Sequence, residues 1–380
     1  MPTCVRSVRR SAFAPAAALL ALLALALAPA AWAGPLVRVL LTDGLDQAQI
    51  ELAGPHAVRT VRGERRASAG LGWPLRVHAG EVASGGLAVG PWLELHPDDG
   101  IVRYDGRAFR GALRIEAHAG SLRVINLVDL EAYLRGVVPS EMSASWPMEA
   151  LKAQAVAARS YSLANLDPAA PYDVCASDAC QVYRGVAAEH PRSDRAVRDT
   201  EGIVIAWGGV PAVAYYHADS GGVLASSEEV WGRALPYLRD GPDVPGTSPH
   251  RGWTARLAPA TLAAALAAEG RSVGTPQALT VLARSASGRV ARAEVAGSSG
   301  RTVLAGPALT RVLRGAGLKS TRISVVGPLA VRGDGWGHGV GMSQYGARTL
   351  AWRGYDYARI LAYYYPGVGL QRRIYRADSS

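Results

Sequence analysis

From Leu36 to about Ile125, apolar and polar residues alternate in short runs broken by Gly and Pro. Leu36–Leu41 and Leu122–Ile125 are examples, with turns such as Asp98-Asp99-Gly100 between runs. Period-two alternation puts apolar side chains on one face of a strand, so this stretch predicts a β-rich region. The period then changes. Asp129 can cap a helix running from Leu130 to about Val138. Pro147 suits the first turn of a second helix, in which Leu151, Ala155 and Ala158 recur at helical spacing and which Asp167-Pro168 ends. Ile203–Trp207 and Val213–Tyr216 flank Gly208-Gly209 and predict a hairpin. From about Trp253 to Val326, helices are expected at Pro259–Ala268 and Pro307–Leu313, and strands at Leu279–Ser285 and Val290–Val295. A glycine-rich segment, Arg332–Ala347, leads into another helix, and a last one lies near Tyr357–Tyr365. No internal repeat is seen.

These elements predict an α+β fold of mixed short strands and helices. The expected organisation is residues 34–115 as a β-rich N-terminal region and 116–370 as the main domain, with 253–326 an α/β insert or subdomain. Residues 1–33 read as a secretory signal peptide. Arg6, Arg9 and Arg10 precede an apolar run from Ala12 to Leu27, and Ala31-Trp32-Ala33 offers small residues at a cleavage site. The run is short for a spanning helix, which needs about 20 apolar residues. An exported location follows, secreted, periplasmic or cell-wall associated, with no stable membrane span once the signal is removed.

Export changes the meaning of the cysteines. Cys4 leaves with the signal, and Cys175 and Cys180 remain as a pair for which a disulfide is the default in an oxidising compartment. Zinc is the rival reading. Two thiolates need two further ligands, and no His lies between Asp173 and Tyr183. The chain carries 41 Lys and Arg against 31 Asp and Glu, and without Arg6, Arg9 and Arg10 the count is still 38 against 31. Such a surplus favours anionic partners. No nucleic-acid-binding motif is present.

Candidate chemistry lies in three separated segments. Glu141, in Pro139-Ser140-Glu141-Met142, is a lone carboxylate placed by the pattern in a loop ahead of the second helix. Such an acid suits proton transfer to a sugar-linking oxygen, although a solvated loop carboxylate is the plainer alternative. The helix that follows carries Gln154, Arg159 and Tyr161, which can bind polar groups. His217, Ser220 and Trp231 lie in a second segment, and His338, Gln344 and Tyr345 in a third. Glycines in these two let backbone approach a ligand closely, and the aromatics can stack on sugar faces or fill a core. The His338 loop lacks the P-loop ending and the dinucleotide spacing. Ser220, His217 and Asp219 sit too close in sequence for easy triad geometry, Ser220 with His338 remains possible in space, and no Gly-x-Ser-x-Gly elbow occurs. A metal site using His217 and His338 has no local ligand pair to support it.

The order of these motifs resembles the SpoIID/LytB family of sporulation and amidase-enhancer proteins. The residues that carry the resemblance are Pro139-Ser140-Glu141-Met142, Leu151–Tyr161, Ser220-Gly221-Gly222 with Glu228-Glu229-Val230-Trp231, and Gly335–Ala347. It covers roughly Leu122 to Pro366. The resemblance implies a lytic transglycosylase acting on peptidoglycan glycan strands, with Glu141 as the single acid/base and 1,6-anhydroMurNAc ends as product. Met142 and Trp146 are candidates to supply the apolar surroundings that raise its pKa. No cofactor is expected. The family also implies an alternative, a non-catalytic glycan-binding activator of a cell-wall amidase, which would then be a partner. Some sporulation members bind zinc through a Cys and His cluster. Here the two cysteines remain without the flanking histidines, which favours the disulfide.

Overall fold

The computed structural model describes residues 34–68 and 72–373, so the expected signal peptide lies outside the described residues. The fold is α+β, as the pattern predicts. Two antiparallel-rich sheets come first. One has seven strands, in the order Val174–Cys175, Leu36–Leu45, Ser121–Asp129, Ala112–His118, Trp92–Pro97, His56–Thr60, Gly63–Ala67. The other has six: Arg107–Arg110, Ile101–Tyr104, Gln47–Glu51, Gly72–His78, Glu81–Ser84, Leu87–Gly90. Alternation is visible in Leu93 and Leu95, fully buried on either side of half-buried Glu94. Most of their buried residues form one hydrophobic cluster with those of the helices within 130–199 and 344–364. Ala112–His118 is a continuous strand across residue 115.

Eight helices follow among the described residues: α1 (Leu130–Glu141), α2 (Met148–Ala164), α3 (Pro191–Asp199), α4 (Ser227–Trp231), α5 (Pro259–Ala267), α6 (Gly306–Gly315), α7 (Gln344–Trp352) and α8 (Tyr357–Tyr364). The Asp129 carboxylate caps α1, accepting from the Glu131 and Ala132 amides, and also accepts from the Gly34 amide. The α1 helix runs past Val138 to Glu141, longer than the sequence pattern predicts, because Pro139 lies in its last turn. There the missing N–H removes a single bond. Most of α2 is buried, on nearly every side. Its Ala153, Ala155, Ala157 and Ala158 leave room for close neighbours, and a helix covered all round belongs to a core.

The expected hairpin forms differently. Ile203–Trp207 pairs with Val210–Pro211, and on its other edge with Gly369–Arg372. Tyr216–His217 instead joins Met342–Ser343 in a parallel pair. Two residues between the paired ends suit a tight turn at Gly208-Gly209. The second run, Val213–Tyr216, lies beyond that turn, and the chain there leaves for a partner more than a hundred residues away.

Residues between Trp253 and Val331 build a second hydrophobic cluster around Leu262, Val295, Leu304 and Val312. Its antiparallel sheet, Pro276–Arg284, Val290–Gly297 and Gly300–Ala305, packs with α5 and α6. Arg289 and Glu229 fasten this unit to the main body. Arg289 donates to the Val223 and Ser220 carbonyls at 3.0 and 2.7 Å, and Glu229 accepts from the Ser285 and Ser287 hydroxyls. A cleft lies between the two bodies.

Candidate functional site

The cleft has a volume of about 820 Å³ and holds Glu141 on one wall. As the last residue of α1, Glu141 is fixed by the helix rather than carried on a loop. The Val182 amide donates to its Oε1 at 2.6 Å and Gln344 Nε2 donates to its Oε2 at 3.2 Å. Burial raises its pKa, and those two hydrogen bonds oppose the rise without cancelling it. The carbonyl end of a helix adds to the cost of a negative charge there.

Gln344 reaches Glu141 because the start of α7 is fixed twice. Ser343 caps it, its hydroxyl accepting from the Gly346 amide at 3.2 Å, and Ser343 is also paired with His217. Gly341 makes that approach feasible. Its φ is +69°, and a Cβ there would sit 2.1 Å from the Tyr215 carbonyl oxygen. Only glycine takes both the left-handed backbone and the contact.

Aromatic rings wall the cleft. Trp146 and Tyr345 meet edge-on at 4.9 Å, and His250 lies edge-on to both Tyr345 and Trp336. In a second row, Tyr215 packs on exposed Trp231 at 4.3 Å, Trp231 on His338 at 5.1 Å, and His338 on His217 at 5.4 Å. The His217 ring donates from Nδ1 to the Val340 carbonyl, while His338 Nδ1 accepts from the Val340 amide. His338 is therefore neutral with its proton on Nε2, while His217 carries a proton on Nδ1. Burial first, then nearby positive or imidazole groups, pushes His217 well below its usual value and His338 down to about 4. Tyr161, on α2, also lines the cleft, its phenol pushed up to about 12 by burial and then Tyr215. The facing wall comes from the inserted unit: Leu309, Leu313 and Arg314 of α6, with Lys319 beyond it.

Of the ten site residues expected from sequence, Glu141, Tyr161, His217, Trp231, His338, Gln344 and Tyr345 line this one cleft. Three do not. Gln154 is buried behind Gln344 and accepts from its amide at 3.4 Å, so it orients Gln344 instead of facing the cleft. Arg159 is wholly buried and spent on protein groups. It grips both oxygens of Glu131 at 2.7 Å and donates to the Ile203 and Val197 carbonyls. Ser220 donates to Asp243 Oδ2 at 2.5 Å and is fully buried, which removes it from any pairing with His338. Met142 is likewise a core residue, and Trp146 alone of the two supplies apolar surface to the cleft.

Two other acids line the cleft. Asp178 forms an ion pair with Arg314 across it, and Glu229 accepts from Ser285 and Ser287. Asp219 accepts from the Gly221 amide and, like exposed Glu228, lies outside the cleft. The contributions of Val182, His250 and Arg314 were missed from sequence. A backbone amide leaves no side-chain signal. His250, in the Pro- and Gly-rich stretch from Gly241 to Gly252, left a weak one.

Cys175 and Cys180 are joined as a disulfide with Cα atoms 5.4 Å apart, in the loop that also carries Asp178 and Val182. Among the described residues no group of three His, Cys, Asp or Glu is placed to hold a metal ion. With both sulfurs bonded and no histidine beside them, these residues do not fit a zinc cluster.

A family model described as stage II sporulation protein matches residues 118–207, and another described as a domain of unknown function matches residues 225–341. The chain is 30% identical over 347 residues to an uncharacterized protein of Brachyspira hyodysenteriae, covering 88% of this chain and 92% of that one. It is 30% identical to stage II sporulation protein D of Bacillus amyloliquefaciens, over 64% of this chain and 74% of the relative. It is 32% identical to the amidase enhancer of Bacillus subtilis, over 62% of this chain, and there it spans only 40% of the relative's length.

Proposed function

The chain belongs to the SpoIID/LytB family, and on that premise we propose that it is an exported lytic transglycosylase of peptidoglycan glycan strands. One observation carries the reading. Glu141 is a single carboxyl with a raised pKa, held by the Val182 amide and Gln344 in an aromatic-walled cleft. Protonated, it donates to the oxygen bridging MurNAc to GlcNAc as that bond breaks. The resulting carboxylate then takes the proton from the MurNAc 6-hydroxyl, whose oxygen bonds to the anomeric carbon. The acid is regenerated, no water is consumed, and the product ends in 1,6-anhydroMurNAc. Ordinary glycosidases need two carboxylates at set separations. Here Asp178 faces Arg314 in an exposed ion pair, and Glu229 accepts from Ser285 and Ser287. The rings of Trp146, Trp231, Trp336 and Tyr345 suit sugar faces.

Mass spectrometry of glycan strands treated with the mature protein in labelled water tests this. Unlabelled 1,6-anhydro ends are expected. Glu141→Gln, which keeps the acceptor for Val182, is expected to lose about 10²–10⁴-fold in rate, the usual contribution of a general acid. Labelled reducing ends would replace the reading with hydrolysis. No products, together with stimulation of an added cell-wall amidase, would favour the activator role suggested by the amidase-enhancer relative.

A further inference from the structure

The cleft's aromatic wall does not stop at its rim. Along α7, Gln344, Arg348 and Trp352 follow at intervals of four, so they share one helix face. Gln344 touches Glu141 at one end of this row, and Trp352 stands at the other, 61% exposed. Eight residues of helix span about 12 Å. Between the ends, the Arg348 guanidinium lies over three rings, 4.8 Å from Trp146, 4.5 Å from Tyr345 and 4.5 Å from Trp352. One of its nitrogens donates to the Thr247 carbonyl at 2.6 Å, which anchors the stack.

A tryptophan this exposed gains little by packing, and arginine stacking holds it in place ahead of any ligand. Its surface is continuous with Trp146 and Tyr345, which line the cleft. The combination offers ring faces for the C–H side of a pyranose and a cationic edge for its hydroxyls. A polymer entering the cleft has to leave it somewhere, and this row extends the cleft wall at Trp146 and Tyr345 through Arg348.

We propose that Trp352, held on Arg348, is a distal sugar-binding platform that receives the glycan strand beyond the bond at Glu141. The inference rests on the glycan-binding part of the proposed function and is independent of cleavage. Binding is measured with Glu141→Gln protein, so that strands stay intact, against purified glycan fractions of graded length. Adding Trp352→Ala is expected to weaken binding of long strands about 2- to 12-fold. That is the range of one aromatic contact of about 0.5–1.5 kcal/mol. Fragments too short to extend past Tyr345 should bind unchanged, and Trp352→Tyr should restore most of the loss. Equal binding of long strands by both proteins, or the same loss at every length, overturns the platform. So does unchanged glycan binding with a Trp352-dependent change in self-association by sedimentation. A length-dependent loss in a wild-type protein that never cleaves would support the platform while removing the enzyme reading. Absence of any glycan binding would remove both.

Discussion

Gln344 Nε2 lies 3.2 Å from Glu141 Oε2, joining residues 203 positions apart. The contact works against burial, the larger influence on the Glu141 carboxyl. A hydrogen bond donated to a carboxylate favours the ionised form, so Gln344 holds down a pKa that burial raises. The same Gln344 amide leans on Gln154, a buried group with no access to the cleft, so its direction is set from behind.

A pH profile of cleavage follows from that contact. A general acid must be protonated, so the rate is expected to fall as pH rises through the raised pKa of Glu141. Gln344→Leu removes an interaction that favours the anion, and the falling limb should move to higher pH. The direction is the test, since a structural defect would lower the rate without moving the limb. A limb unmoved, or moved to lower pH, would contradict the role given to Gln344. Stability has a matching sign. The folded state binds this proton more tightly than the unfolded chain, so the contribution is present at low pH and is lost as pH rises through the raised value.

Arg159 gives a contrasting expectation. Breaking a buried ion pair by removing one partner typically costs about 3–5 kcal/mol, and here Glu131 and two carbonyls lose their donor together. Arg159→Met should lower the denaturation midpoint strongly. Glycan affinity of the remaining folded protein should be unchanged. A variant of normal stability with weakened glycan binding would return Arg159 to the substrate side.

The His217–His338 pair predicts acid lability. Both are held neutral in the fold, His338 with a value near 4, while an unfolded histidine protonates at about 6.5. The stability they contribute is complete above the unfolded value and is lost as pH falls from there through the folded values. Urea melts between neutral pH and pH 4 should show stability falling over that window. His338→Asn should flatten part of the slope. A slope identical in the variant would mean that other groups carry the acid transition.

Local sequence determined a good deal. Asp129 fixes the start of α1 because a side-chain cap acts over three residues. The strand alternation around Leu93 and Leu95, and the helical spacing of Leu151, Ala155 and Ala158, survive in the fold because each periodicity is a property of its own element. The motif order also brought Glu141, His338 and Gln344 into view together. Sequence could not say where a polar side chain finds its partner. Arg159 and Gln154 share a helix with Tyr161, yet only Tyr161 reaches the cleft. The other two meet Glu131 and Gln344, residues brought to them by packing. Glu141 itself became a fixed group instead of a solvated acid through the Val182 amide and Gln344, 41 and 203 positions away. Capping and periodicity are short-range and are written in neighbouring residues. Desolvation and hydrogen-bond satisfaction depend on which distant segments close over a group, and only the folded chain decides that.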